Sequence, residues 1–340
     1  MKGRQIVLDR IAGREVAVLL SDGELDDLLI EADEPAPGTI FRAVAGRPMK
    51  GQGGLFLETP DGTAYLRGAK GVRPGETLTV QVTGYAEPGK ALPVTDRVLF
   101  KSRYAIVTPG SPGVNLSRQI RDEGLSDALL DLAAEAMADS GMGLILRSAS
   151  AGAETEPIAA DIAAMRRAAE AVMSDTTPGP ARLLDGDGPW QLAWRDWTGP
   201  ADLVDDPGAL EALGLVDRID ALRDPTVVLP GGAYAFVEPT RALVAVDINT
   251  GPDGSFAAGL KANLALAREL PRILRLRGYG GQIAIDPAPM AKKDRRAFEA
   301  ALRAACRRDP VETALAGWTP LGHFELQRKR ARPPLSALLA

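Results

Sequence analysis

Little in this 340-residue sequence can carry sulfur or imidazole chemistry: Cys306 is the only cysteine and His323 the only histidine. One thiol closes no disulfide within the chain, and one imidazole excludes histidine pairs and His-rich zinc sites there. Any catalysis has to rest on carboxylates and cations. Aromatic residues are scarce at 5%, so each one outside a core is worth locating. No apolar run approaches the roughly 18 residues of a membrane span, and the opening MKGRQIVLDR has no apolar stretch of signal-peptide length before charges interrupt it. The expected compartment is a cytoplasm of bacterial type. A surplus of positive charge is missing too. The formal net charge is −5, which argues against a uniformly basic nucleic-acid coat. Cations do crowd the last third, in PRILRLR and RKRAR, so a polyanion site would be local.

What is present is ordinary globular material, 45% hydrophobic and 25% charged, in a chain long enough for two or three small domains. QIVLDRIAGREVAVLLSDGELDDLLIEAD reads as two strands joined by an AGR turn and followed by a third. From Pro35 to about Val98, the segments TIFRAV, GLFLE, TAYLRG, ETLTVQVTG and ALPVTDRV alternate with Gly, Pro and Asp turns. Short strands at regular spacing predict a small closed barrel that interrupts the domain begun by the first strands. SDALLDLAAEAM and the stretch from Glu156 to Met173 carry apolar residues at helical spacing. TTPGPA, Thr176 to Ala181, and LRDPTVVLPGG near Leu222 read as linkers.

Two strand-end acids stand out. In LVAVDINTG, Leu243 to Gly251, an apolar run ends at Asp247; in GGQIAIDPAPM another ends at Asp286. Between them FAAGLKANLALARELPRILRLRG has the helical period, with Pro271 expected as a kink or a boundary. Strand, helix, strand is a βαβ unit with parallel strands, so both aspartates emerge on one edge of one sheet. Neighbouring strands lie about 4.8 Å apart, close enough for two carboxylates to share one divalent ion. Asn249 could assist that ion, or a water, through its carbonyl oxygen. A strand-end Asp can equally do no more than cap a turn, and spacing does not name a substrate.

Three runs, LPGGAYAFVEPTRALVAVDINTG, KANLALARELPRILRLRGYGGQIAID and FELQRKR, resemble the catalytic core of the ribonuclease E/G family of bacterial endoribonucleases. The likeness is densest from about Leu229 to Arg330. It implies a multidomain α/β fold in which RNase H-like and DNase I-like subdomains accompany an inserted S1-type OB β-barrel and a sensor of the RNA 5′ end. Laid on this chain, those parts fall at 1–34 and 178–222 (RNase H-like), 35–100 (OB barrel), 101–177 (sensor-like) and 223–340 (DNase I-like). The resemblance makes Asp247 and Asp286 ligands of Mg²⁺, with Asn249 beside them as a catalytic residue. It makes Phe56 and Tyr65 RNA-stacking aromatics and Lys90 the basic contact of the barrel, although Phe56 could also be barrel core. In GMGLILRSAS it gives Arg147 and Ser148 the grip on a 5′ monophosphate, for which an Arg fork is suited; Arg147 could equally be structural. The implied partner is single-stranded RNA, in RNA processing or decay.

Departures from the family pattern qualify this. Ser102 and Ile106 replace a glycine and a valine beside the sensor, and Glu312 stands where a supporting arginine is expected. Pro287, Ala288 and Pro289 follow the second aspartate in place of a segment with a further acid, which is expected to stiffen the loop and lower activity. No cysteine pair is present for a zinc-linked dimer, leaving a homodimer to other contacts. Cys306 is expected to be a buried small side chain, and His323 to pack or make one hydrogen bond. Arg275, Arg277, Arg328, Lys329 and Arg330 could track a phosphate backbone or be solvated surface charge. The rival readings are a catalytically weak RNA-binding protein of the same fold and, further off, a two-aspartate small-molecule phosphatase.

Overall fold

A computed structural model describes residues 3–48, 53–69, 71–87 and 89–339. The chain forms two compact units, one from Met1–Glu31 with Asp202–Ala340 and one from Ala32–Ala201. The segment 176–181, expected as a linker, lies inside the second unit, where the Arg42 guanidinium donates to the Thr177 hydroxyl at 2.7 Å.

The first unit holds two sheets. Arg4–Ile11, Arg14–Ser21 and Glu24–Ile30 form the expected antiparallel meander, and Asp202–Val204 adds in parallel to its first strand. The second sheet has six strands in the order Thr226–Val228, Tyr234–Pro239, Val244–Asn249, Gly281–Asp286, Phe324–Arg328, Thr313–Trp318. Its two central strands, Val244–Asn249 and Gly281–Asp286, run parallel and are joined by the helix Phe256–Leu276, the βαβ unit read from the spacing. Alternation does the rest. Val237, Val246, Ile283, Ile285, Phe324 and Leu326 point to one face and join Leu266, Leu270, Phe298 and Leu302 of the flanking helices in one core. Each such fully buried side chain contributes about 1.5–3 kcal/mol. That burial explains Pro271, which neither breaks nor ends its helix: Leu270, Ile273 and Leu274 on either side of it are buried, and their packing outweighs the roughly 3 kcal/mol cost of an internal proline.

The second unit contains the barrel. Ile40–Pro48, Gly54–Thr59, Gly62–Arg67, Thr77–Val82 and Leu92–Thr95 follow one another round the ring in the order first, second, third, fifth, fourth; the third and fifth are parallel, the other neighbours antiparallel, and the fourth pairs with the first to close the ring. A closed five-stranded barrel with this strand order is consistent with an OB-fold. Ala181–Leu184 adds antiparallel to its first strand. The unit also holds a small sheet, Gly113–Leu116, Gly143–Leu146, Ala105–Thr108 and Phe100–Lys101, packed with the helices Glu123–Ala136 and Thr155–Met173 through Leu129, Ala133, Ile158 and Ile162.

Candidate active site

Asp247 and Asp286 are register partners across the two parallel central strands. Adjacent strands are about 4.8 Å apart, and both side chains point away from the core, so the carboxylates stand side by side; Asp286 ends its strand as expected, whereas the strand of Asp247 runs on through Asn249. Both are exposed. The Asn249 amide donates to Asp247 Oδ2 at 2.9 Å, which fixes that oxygen's orientation. His323 Nε2 stands 3.8 Å from Asp286 Oδ1, too long for a hydrogen bond. The single histidine, expected only to pack or make one hydrogen bond, thus lies beside the acid pair. Its position just before the strand Phe324–Arg328, which pairs with Gly281–Asp286, is the signal that could have found it.

The loop after Asp286 is held from below. Asn263 is completely buried on the apolar face of the connecting helix. Its amide nitrogen donates to the Ala288 carbonyl and its amide oxygen accepts from the Ala288 N–H, each at 2.9 Å. One turn earlier, Gly259 lets the same helix approach so closely that a methyl group there would overlap the Pro289 carbonyl. The prolines stiffen a loop that is already clamped. A polar residue on the buried stripe of a helix is the sequence signal for Asn263, because buried amides have to be paired.

Could this pair hold a metal? Among the described residues, no group of three or more His, Cys, Asp or Glu side chains is arranged to hold an ion. Mg²⁺ is commonly bound through one or two carboxylates, with water and substrate phosphate completing the octahedron. Two adjacent exposed carboxylates, one oriented by an amide, fit that donor set.

The cations divide differently from expectation. Arg275, Arg277 and Arg328 do not track a phosphate backbone: they are 8%, 4% and 1% exposed. Arg275 pairs with Asp26, Asp27 and Asp309, and Arg328 pairs with Asp309. Arg277 donates to the carbonyls of Pro225, Val237 and Thr226. Buried guanidinium needs such partners. Lys329 is exposed, and Arg330 donates to the Gly280 carbonyl at 2.9 Å. Cys306 is half-buried, and burial pushes its thiol pKa up.

In the barrel, Phe56 and Tyr65 are opposite one another on neighbouring strands, their ring centroids 5.3 Å apart. Phe56 is 37% exposed while Leu55 and Leu57 beside it are buried, so it is outside the barrel core. Tyr65 lies across Gly54, where any side chain would collide with its ring. Lys90, in the loop between the last two barrel strands, is mostly exposed and pairs with Glu87 at 2.7 Å. In the same unit both terminal nitrogens of Arg147 have protein acceptors. It donates to the carbonyls of Ser102, Arg103 and Arg195 and to Asp196 Oδ1 at 2.7 Å. Ser148 is exposed at the start of a short 3₁₀ turn. Asp196, which sequence reasoning did not single out, is also gripped by Arg195 and Lys101. Burial alone would raise its pKa, but the hydrogen bond and charge of Arg195, with Lys101 and Arg147, hold it well below the usual carboxylate range.

The model of the ribonuclease E/G family matches residues 100–206 and 201–331. The chain belongs to the ribonuclease E/G family. Among its relatives, a ribonuclease G of Salmonella typhimurium is 30% identical over 79% of this chain and 62% of its own length. A ribonuclease E of a Nostoc species is 26% identical over 93% of this chain and 54% of its own, and a ribonuclease E of Escherichia coli is 28% identical over 78% of this chain and 29% of its own. The chain therefore spans little more than half the length of the first two relatives. Both aspartates, Asn249 and His323 lie inside the family match. No described helix is long and apolar enough to cross a membrane.

Proposed function

We propose that this chain is a Mg²⁺-dependent endoribonuclease that cuts single-stranded RNA in RNA processing or decay and leaves 5′-phosphate and 3′-hydroxyl ends. The observation that carries the reading is the register pairing of Asp247 with Asp286 at the open end of a sheet, in a member of a ribonuclease family. Asp247 and Asp286 would hold the ion, and Asn249 keeps Asp247 turned toward it. When bound, Mg²⁺ supplies a more acidic water and offsets charge developing on phosphorus. The chain's own part is to fix the two carboxylates in register, clamp the following loop through Asn263 and leave the face open to a polymer. An open face suits RNA better than the enclosed pocket that a small-molecule phosphatase uses.

The barrel fits the binding role. In OB-folds the second and third strands and the loop between the fourth and fifth face nucleic acid, and these elements carry Phe56, Tyr65 and Lys90. In this reading the RNase H-like and DNase I-like parts have boundaries near 34, 100, 177 and 222, residues 178–201 of the former lying in the second unit, and the protein works in the cytoplasm. A 5′-end sensor built on Arg147 and Ser148 is at most weak, because both terminal nitrogens of Arg147 already meet protein acceptors. The second reading, an RNA-binding protein with slow turnover, draws on the loop of Pro287 and Pro289. Incubating the full chain with a fluorescent single-stranded RNA, with Mg²⁺ or with a chelator, tests both. Metal-dependent cleavage supports the nuclease, tight binding without cleavage supports the rival, and absence of both overturns the RNA assignment.

A further inference from the structure

The face of the six-stranded sheet that carries the acid pair has a feature that neither the acids nor the barrel accounts for. In the ladder between Tyr234–Pro239 and Val244–Asn249, Phe236 is opposite Asp247 and Tyr234 is opposite Asn249. Cross-strand partners project to the same side. Both rings therefore stand on the open face, one strand away from Asp247 and two from Asp286. The alternate residues Ala235 and Val237 are completely buried beneath the sheet, and neither ring belongs to that core. Tyr234 and Phe236 are half-buried and meet edge to face, with ring centroids 5.5 Å apart. On the far side of Tyr234, its register partner Val228 is 85% exposed.

We infer that Tyr234 and Phe236 form a stacking platform for a nucleobase of the RNA immediately beside the scissile phosphate. The inference rests on the nuclease reading and deepens it, by adding a contact that sets where along the strand the phosphate settles. Chemistry favours a base as the occupant. Every base has a π-face, so stacking on an aromatic is tolerant of sequence. A sheet face bearing Glu238, Asp247, Asp286 and Glu325 would repel an acidic peptide, whereas RNA brings its own cation to the acids and its bases to the rings. The T-shaped contact between the rings limits their rotation, and a preorganised platform loses less freedom on binding. The distance relation is fixed by the ladder: Phe236 cannot move relative to Asp247 without breaking the strand pairing. A base resting on it therefore positions the adjoining phosphate against the carboxylates.

The test uses the full chain, Mg²⁺ and a short fluorescent single-stranded RNA with one cleavage site. Phe236→Ala and Tyr234→Ala are expected to raise KM by roughly 5- to 150-fold, the range given by loss of a base stack. Phe236→Tyr and Tyr234→Phe should stay within about twofold of the unaltered chain. Phe236→Leu, which keeps apolar bulk, should behave like the alanine variant if the π-face matters. A set of RNAs carrying a single abasic nucleotide at successive positions sharpens this. For the unaltered chain, one position flanking the cut should raise KM, and in Phe236→Ala that position alone should lose its penalty. Equal penalties in both proteins, or a KM unchanged by both alanine variants when circular dichroism shows them folded, would overturn the platform while leaving the nuclease intact. Absence of cleavage by the unaltered chain would overturn both.

Discussion

Asp286 and Asp309 are aspartates of the same folded unit held in opposite ways. The Asp286 side chain is 65% exposed, with one histidine 3.8 Å away. Asp309 is 2% exposed and gripped by Arg275 and Arg328, the second at 2.8 Å. The structural acid has all the cations it needs from the protein; the exposed pair, Asp247 and Asp286, has two carboxylates side by side with an amide and an imidazole for company. Like charges in register on adjacent strands disfavour one another. A positive ion between them would relieve that repulsion. On the proposed reading, the difference separates charges that hold the molecule together from charges kept for a metal ion.

The comparison breaks most decisively at the exposed pair. Asp247→Asn or Asp286→Asn should lower the cleavage rate by about a thousandfold or more, the several kcal/mol that metal-borne charge stabilisation is worth. Thermal stability should hardly change, and RNA binding should stay within about twofold. Full Mg²⁺-dependent cleavage in either variant would show that these carboxylates are ordinary strand-end residues.

The buried acids should give the reverse pattern. Asp27 is 4% exposed and meets Arg275 and Arg332. Burial alone would raise its pKa, but the charges of Arg332 and Arg275 hold it below its ordinary value. A folded-state pKa depressed in this way adds stability above the unfolded value, near pH 4, and that stability is lost as the pH falls through the folded value. Asp27→Asn leaves two guanidinium groups underpaired and should cost about 3–5 kcal/mol at pH 7. The gap between variant and unaltered chain should narrow in acid. Denaturant unfolding at pH 7 and pH 3 measures it, and a gap that is constant with pH would remove the ion-pair explanation.

Asn263 tests whether the buried frame serves the exposed pair. Asn263→Leu removes two hydrogen bonds to Ala288 and strands its N–H and C=O, a loss of about 1–3 kcal/mol. Because that loop follows Asp286 directly, kcat should fall while RNA affinity is unchanged. A stability loss with full kcat would make Asn263 purely structural.

How far all this was legible from the sequence depended on the range of the rule. The acid pair was legible because strand, helix and strand fix a parallel neighbour, and two apolar runs of similar length ending in Asp fix the level. The barrel was legible from turn spacing, whereas Phe56, left open between stacking and barrel core, is put outside the core by the structure, between buried Leu55 and Leu57. The arginines were not. PRILRLR and RKRAR look like surface cations, and only the fold brings Arg275 and Arg328 to Asp27 and Asp309, residues 248 and 19 positions away. The partners of Arg147 were hidden for the same reason, since Asp196 is 49 residues distant. A smaller effect belongs to the barrel: Tyr65→Ala should weaken single-stranded RNA binding by roughly tenfold at fixed salt, and an unchanged dissociation constant in a folded variant would end its role as a platform.

The smallest effect expected is at the sequence's sensor residues, where Arg147 behaves like the buried charges and not like the exposed acids. A phosphate seeking its guanidinium would have to displace three backbone carbonyls and the Asp196 carboxylate. Asp196 is in turn anchored by Arg195 and Lys101 and stays ionised well below the usual range. A carboxylate that keeps its charge occupies the fork and repels an incoming dianion. RNA with a 5′ monophosphate should therefore be cleaved less than about tenfold faster than its 5′-hydroxyl counterpart, a difference under about 1.4 kcal/mol. Arg147→Ala should lower the melting temperature, because those acceptors lose their donor, and should leave the 5′-end ratio as it was. Asp196→Asn, which empties the fork of charge, should raise the ratio if the site can bind phosphate at all. A large monophosphate advantage in the unaltered chain that vanishes in Arg147→Ala would mean that the carboxylate yields to the phosphate, and that engagement in the folded chain does not mark a charge as structural.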